Sequence, residues 1–340
     1  LSLTTMRIAL ISPYSSGPMR GNITTVRRIV RFLDKAGTET LNSAPDCLSV
    51  IEMERQLEEF QPNLIHCFHA RYCGAISRRL AEHFKLPYII TITGSDIHDP
   101  SLRNHPETIQ AIRSAQAVVC FHNSDADKLV NYFPRLGGRV VVVPQGFEQL
   151  PVDTSENFGL AHDAFVLLLP AALRPVKRVE FPLQVLSQLI HDIPLLHLII
   201  AGGVIDQDYA AMIRNILCDT PFSTWLGEVP HERMGNLYSR ADLVLNCSYS
   251  ESMPNTLMEA MALGRPVLAA NIPGNQSLIE DGKTGWLYDG ENAFRSLVLK
   301  LWGDKKLREK TGNSAKDYIM SNFSPQLEAD RYLSLYRKLI

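Results

Sequence analysis

Short apolar runs alternate with amphipathic stretches along the whole chain. Met6–Ile11, Leu64–Cys67, Tyr88–Thr93, Ala117–Phe121 and Val140–Val143 are almost continuously apolar and predict buried strands. Between them Thr24–Leu33, Ala75–Phe84 and Asp125–Tyr132 carry a helical period. Apolar strands separated by helices imply a parallel sheet covered on both faces. The periodicity stops from Pro144 to Leu160, a segment holding Pro144, Gly146, Pro151 and Gly159, which is the linker candidate. The pattern then restarts, with strands at Val166–Leu169, Leu196–Ala201, Leu243–Asn246 and Pro266–Ala270 and helices near Val179–His191, Asp208–Leu217, Pro230–Ser239 and Pro254–Leu263. The fold class is therefore α/β, with two successive Rossmann-like, doubly wound parallel-sheet domains at residues 1–148 and 149–324. The last helix, residues 325–340, follows another helix and need not pack on the second domain.

Ligands of doubly wound sheets bind beyond the carboxyl ends of the strands, so the residues after each strand are the ones that matter. The stretch NCSYSESMPNTLMEAMALGRPVLAANIPGN, 246–275, is the richest. A strand ends near Asn246, a loop of small residues follows, and Met253-Pro254 leads into a helix whose first turn tolerates proline. The amides of Asn255, Thr256 and Leu257 carry the positive end of the helix dipole and are placed to hold a phosphate. Glu251 lies before that helix and Glu259 within it, flanked by Leu257, Met258, Ala260, Met261 and Ala262. A charge on so apolar a helix is costly unless it meets a partner, and a carboxylate accepts both hydroxyls of a ribose or sugar. The alternative is a loop carboxylate and a solvated helix face. After the strand Val166–Leu169 comes AALRPVK, 171–177, where Arg174 and Lys177 are placed to neutralise a diphosphate leaving group, unless they belong to a solvated turn.

Composition narrows the classes. The 34 basic and 36 acidic residues leave a formal charge of −2, against the basic excess of a nucleic-acid partner. The longest apolar runs, such as Leu195–Ala201, fall far short of the roughly 18 residues of a membrane span. No signal-peptide pattern is read at the start, and the six cysteines form no C-x-x-C pair, so the expectation is a cytoplasmic protein with buried free thiols.

The Glu-x7-Glu spacing of Glu251 and Glu259, the run EAMALGRPVLA, the IPGN after it and DGKTGWLY at 281–288 resemble the retaining family-4 glycosyltransferases of the GT-B fold. The stretch LGEVPHERMGNLYSRADLVLN, 226–246, with Gly227, is similar to the nucleotide-proximal part of that family. GN-x-T-T near the start, L-R-x-V-K and NIPGN are similar to the glycosyltransferase 1 domain-containing proteins and their bacterial relatives. The resemblance implies two domains with the site in the cleft between them, the first on the acceptor side and the second binding a nucleotide sugar. It implies Glu251 on the donor sugar, Glu259 on the ribose, and Lys177 on the leaving diphosphate. The family's arginine position falls on Ala172, with Arg174 two residues on as its substitute. In the first domain Gly21 and Asn22 stand where the family has a glycine pair. Thr93 stands where it has a histidine, so His69, Ser95, Asp96 and His98 join Thr93 as acceptor-side candidates.

Several look-alikes are set aside. His66, Cys67, His69 and Cys73 lie in and after one strand, whose alternate residues face opposite ways, and no second ligand pair has zinc spacing. Asp206-Gln207-Asp208 is read as a helix start with Asp208 as N-cap, and Gly282-Lys283-Thr284 as a turn. Arg27, Arg28 and Arg31 form a basic group on the first helix, a solvated face or a peripheral membrane contact. The expected function is transfer of a sugar from a nucleotide-diphosphate-sugar donor to a small-molecule, glycan or lipid-linked acceptor. Retention of configuration is expected, with no metal and no other cofactor. The alternatives are a catalytically silent nucleotide-sugar-binding protein, a nucleotide-sugar epimerase and a hydrolase using the two glutamates.

Overall fold

The computed structural model describes residues 5–15, 21–153 and 158–340; residues 154–157 of the expected linker lie outside them. The chain divides into two compact units, Leu1–Gly146 with Phe323–Ile340, and Phe147–Asn322.

The first unit holds β1 (Arg7–Ile11), β2 (Glu39–Ser43), β3 (Leu64–Phe68), β4 (Tyr88–Thr91), β5 (Ala117–Cys120) and β6 (Val140–Val142). They form one parallel sheet in the order β2-β1-β3-β4-β5-β6. Register is set by apolar residues on both faces: Ala9, Ile65, Ile90 and Val118 face one core, and Ile8, Leu64, Ile89 and Val119 the other. The second unit holds β7 (Phe165–Pro170), β8 (Leu196–Ala201), β9 (Ser223–Trp225), β10 (Leu243–Asn246), β11 (Val267–Ala270) and β12 (Trp286–Tyr288). Its parallel order is β12-β11-β10-β7-β8-β9. Both units are thus doubly wound α/β sheets. Each has a point where the strand order reverses, between β1 and β3 in the first and between β7 and β10 in the second. Those are the places where such sheets bind ligands.

Local sequence explains several helix ends. Ser49 and Glu52 form a reciprocal capping box on the helix Val50–Phe60. Ser324 caps the helix Pro325–Arg337, with Pro325 in its first turn. Asp206, rather than the expected Asp208, caps the helix Gln207–Cys218 by accepting from the Tyr209 amide at 2.9 Å. The side-chain oxygen must precede the helix to reach that amide, and Asp208 already lies inside it.

The helix Pro325–Arg337 belongs to the first unit and is tied there by buried polar bonds. Arg28 Nε and Nη2 donate to Glu328 at 2.8 and 3.1 Å, both side chains being 1% exposed. Arg28 is therefore no part of a basic surface, unlike the exposed Arg27 and Arg31: it sits on the face that the last helix covers. Buried His66 bridges Tyr336 OH and Thr91 Oγ1, each at 2.7 Å, and burial pushes its imidazole down to about 3, so it is neutral. All six cysteines are free; Cys67, Cys73, Cys120 and Cys247 are buried, but Cys47 and Cys218 are exposed. Among the described residues no helix is long and apolar enough to cross a membrane, and no cluster of three His, Cys, Asp or Glu is arranged to hold a metal.

Candidate active site

In the second unit the loops after β7 and β10 meet at the strand-order reversal. The Tyr249 amide donates to the Val176 carbonyl at 2.9 Å, joining the two loops. This brings Lys177 to Glu251, Nζ to Oε1, at 2.5 Å, with the side chains 19% and 13% exposed. Ser248 Oγ (2.7 Å) and Asn246 Nδ2 (3.4 Å) donate to the same oxygen. Among the described residues all these bonds fall on Oε1. Burial works to raise the Glu251 carboxyl, but Lys177 and these bonds outweigh it and hold it below its usual value. Arg174 also acts on Glu251 through its charge, and its buried Nε has no hydrogen-bond partner among the described residues.

The IPGN motif braces this loop. A Cβ on Gly274 would lie 2.2 Å from the Glu251 carbonyl oxygen, so only glycine lets the two backbones meet. Asn275, fully buried, donates to the Asn246 side chain (3.2 Å) and to the Ala270 carbonyl (2.8 Å). Asn246 Oδ1 in turn accepts from the Ser248 amide at 3.2 Å. Ser248, Asn246 and Asn275 position the carboxylate, and the sequence reading had given them no role. Their signal was present as two asparagines flanking the Glu251 segment, but short polar residues in loops are common.

Met253 and Pro254 are buried and lead into the helix Asn255–Ala262, whose N-terminus has no side-chain cap. The half-buried Asn255 and Thr256 lie in its first turn. The expected phosphate contact from Leu257 is corrected: its amide donates to the Pro254 carbonyl at 3.2 Å, as does that of Met258 at 3.3 Å. A tight first turn satisfies those donors internally.

Glu259 is buried within this helix, and the partner that burial demands is supplied by the chain itself. Tyr238 OH donates to Oε2 and His231 Nε2 meets Oε1, both at 2.8 Å. The bond from Glu259 raises the His231 imidazole above its usual value, and burial pushes the Tyr238 phenol well up. A buried charge on an apolar helix thus does not by itself require a ligand. Tyr238 is fully buried, whereas the side chain of His231 is 24% exposed. Gly227 follows β9 with φ +72°, and its carbonyl accepts from the Gly202 amide at 2.8 Å.

In the first unit His69, Thr93, Ser95 and Asp96 come together beyond β3 and β4. Asp96 accepts from the amides of Thr93 (3.1 Å), Gly94 (2.9 Å) and Ala70 (2.9 Å), and so clamps the two loops. His69 Nε2 meets Ser95 Oγ at 3.0 Å, and Asn22 Nδ2 donates to Thr93 Oγ1 at 3.4 Å. Gly21 opens the helix Gly21–Lys35 and is exposed. His98 goes elsewhere: it pairs with Asp125 at 3.1 Å, beside His122 on the same carboxylate at 3.2 Å. Burial acts to raise the Asp125 carboxyl, but the two imidazoles hold it well below the usual range.

Residues 153–318 match the family model described as glycosyl transferases group 1. The chain is 26% identical over 332 residues to the glycosyltransferase 1 domain-containing protein 1 of Xenopus tropicalis, covering 94% of both chains. It is 24% identical to a D-inositol 3-phosphate glycosyltransferase of Rhodococcus jostii, over 86% of this chain and 70% of that one. Among solved structures, sucrose-phosphate synthase from Thermosynechococcus elongatus superposes with a TM-score of 0.85 at 19% identity, covering 98% of this chain and 99% of the other. Anabaena HepE in complex with UDP and glucose superposes with a TM-score of 0.81 at 17% identity, covering 98% and 100%. The motifs around Glu251 and Glu259 lie within the segment, residues 153–318, that is similar to the group 1 glycosyl transferases, and the two doubly wound sheets have the GT-B fold of the similar solved structures.

Proposed function

We propose that this chain moves a sugar from a nucleoside-diphosphate sugar to a hydroxyl acceptor with retention of configuration. The observation that carries the reading is the Lys177–Glu251 pair at the strand-order reversal of the second unit, beside the N-terminus of the helix Asn255–Ala262. A solved structure of similar fold is titled as a complex with UDP-glucose, and the relatives from Rhodococcus are named for glycosyl transfer to an inositol phosphate. The first supports a nucleotide-sugar donor and the second supports glycosyl transfer.

In this reading Lys177 and Arg174 meet the negative charge that grows on the leaving diphosphate, where fixed charges of a preorganised site act most strongly. The first-turn amides at Asn255 and Thr256 add the positive end of the helix dipole. Glu251 Oε2 accepts from the donor sugar's hydroxyls, and Glu259 accepts from the ribose through the side of its carboxylate nearer His231. The acceptor hydroxyl attacks from the face the nucleotide leaves, and its proton passes to the departing diphosphate oxygen. Side chains supply the charge neutralisation, so no metal is assigned a role, and the activity is expected to survive EDTA.

The test is a thermal-shift panel of UDP, GDP, ADP and their sugar conjugates. A ligand that binds only the folded chain at a hundred times its Kd stabilises it by about 2.7 kcal/mol, which a melting curve resolves. A panel in which no nucleotide raises the melting temperature removes the reading. With a donor in hand, proton NMR of the first product gives the anomeric configuration, and inversion would overturn the mechanism.

A further inference from the structure

We infer that the open edge of β6 in the first unit is a docking site for an extended segment of a partner protein in which acidic and apolar residues alternate. β6 ends its sheet, pairing with β5 on one side and with no strand among the described residues on the other. The Val143 amide donates to the Cys120 carbonyl at 2.9 Å, toward β5, so the amide and carbonyl of Val142, one residue earlier, turn outward. A sheet edge open to water is ordinarily broken by charge or covered, because its bare backbone groups invite another strand. β6 is instead three half-buried valines.

Beside that edge lies a groove of about 530 Å³ between β6 and the helix Pro325–Arg337. Val141, Val142 and Val143 all line it. Alternate residues of a strand face opposite ways, so three in a row border one hollow where it runs along the strand's edge, with the backbone open to it. Leu327, Leu335 and, just past the helix, Leu339 make the far wall. The helix runs antiparallel to the strands: Tyr332 OH reaches Thr91 Oγ1 at 3.2 Å, whereas Tyr336 OH reaches His66, which is level with Ile89. The groove therefore follows the direction of β6, as an added strand would.

The rim carries mostly one sign of charge. Arg139, Arg331 and Lys338 border this groove, and Arg113 and Arg135 border the adjoining hollow. The Arg139 guanidinium is taken up by backbone, Nη1 donating to the carbonyls of Arg113 at 3.0 Å and Ala115 at 2.8 Å. Arg113, Arg135, Arg331 and Lys338 are exposed, and their side chains make no ion pair or hydrogen bond among the described residues. Asp330 is the carboxylate of these linings, and it accepts from Gln326 at 3.0 Å. In a chain of formal charge −2 this edge is thus a basic exception. An extended segment with acidic side chains at the rim and apolar ones in the groove complements both the cations and the valines, and its backbone pairs with the outward groups of Val142. A second copy of this chain would bring the same cations to the edge and be repelled. An anionic membrane would meet the cations but has no backbone to pair with the strand.

The test titrates the full chain into a fluorescein-labelled peptide of alternating glutamate and valine and follows its anisotropy. Saturable binding below millimolar concentration is expected. The double variant Arg331→Glu with Lys338→Glu is expected to weaken it at least about tenfold through two reversed charges, with an unchanged circular dichroism spectrum because both residues are exposed. Two further peptides are N-methylated, one on every valine and one on every glutamate. Alternate amides of a strand face opposite edges, so one of the two is expected to lose binding and the other to keep it, which separates strand addition from charge alone. Four results would overturn the inference: no binding of the glutamate peptide, equal binding of a lysine–valine peptide, unchanged affinity in the double variant, or the same behaviour of both methylated peptides. Co-sedimentation with phosphatidylglycerol vesicles that the double variant abolishes, in a chain that binds no peptide, would assign the edge to a membrane instead and likewise overturn it.

Discussion

Replacing Lys177 with alanine removes the ammonium bonded to Glu251, and the consequence follows from how dry the pair is. With the side chains 19% and 13% exposed, neither charge is well solvated. Breaking a buried pair from one side costs about 3–5 kcal/mol, because the remaining charge is left uncompensated. Ser248 and Asn246 still donate to Glu251 and Arg174 still acts on it, so the low end, about 3 kcal/mol, is expected. At about 2–4 °C per kcal/mol for a unit of this size, the melting point falls by roughly 6–12 °C. The loss has a signature in pH. In the wild type Glu251 is held below its usual value, so its contribution to stability is complete above the unfolded value of about 4.3 and is lost as pH falls through the folded one. In the variant burial acts with less opposition and raises the carboxyl. The deficit is then largest at neutral pH and shrinks as acid protonates Glu251. Melting curves of both proteins between neutral pH and about pH 4 measure this, and nucleotide release from the donor that the thermal-shift panel identifies measures turnover, expected to drop about a hundredfold. The double variant Lys177→Ala with Glu251→Gln should recover most of the stability and none of the activity. Parallel melting profiles at every pH, or turnover close to wild type, would refute the reasoning.

Glu328→Ala strands the buried Arg28 guanidinium and is expected to destabilise the first unit by about 3–5 kcal/mol, while Arg28→Met with Glu328→Leu recovers much of that; urea denaturation checks both. Gly274→Ala drives a Cβ to 2.2 Å from the Glu251 carbonyl, so the Glu251 loop must shift; donor turnover is expected to fall by an order of magnitude or more, with circular dichroism spectra unchanged. His231 has its imidazole raised by Glu259, so its stabilising contribution is full below the unfolded value of about 6.5 and is lost as pH rises through the higher folded value. His231→Gln should therefore fall furthest below wild type in mildly acidic buffer and approach it above neutrality, which melting curves across that window will show. Treatment with EDTA should leave nucleotide release from the donor unchanged; loss of activity that added Mg²⁺ or Mn²⁺ restores would assign the charge neutralisation to a metal instead.

Read from the residues alone, periodicity placed nine of the twelve strands among the described residues, because those runs are apolar on both faces and a buried parallel strand has little other composition available. The three that escaped, β2, β9 and β12, are edge strands. ETLNS, STW and WLY are short or half polar, as an edge with one solvated side allows, and only pairing with β1, β8 and β11 makes them strands. Glu251 and Lys177 were legible because each follows a strand whose carboxyl end is a place for ligands. Their contact was not, since 74 residues separate them and the strand order alone sets β7 beside β10. Glu259 shows the limit most clearly. Its apolar neighbours revealed that it needed a partner, but a helix places partners by three-dimensional packing, and the structure supplies Tyr238 and His231 from another segment. The same holds for Arg28, whose counter-ion lies 300 residues away. Local pattern determined the elements and the kinds of chemistry at their ends. Which side chains share a charge or a proton was decided by long-range packing, because those pairings depend on distances that no spacing along the chain encodes.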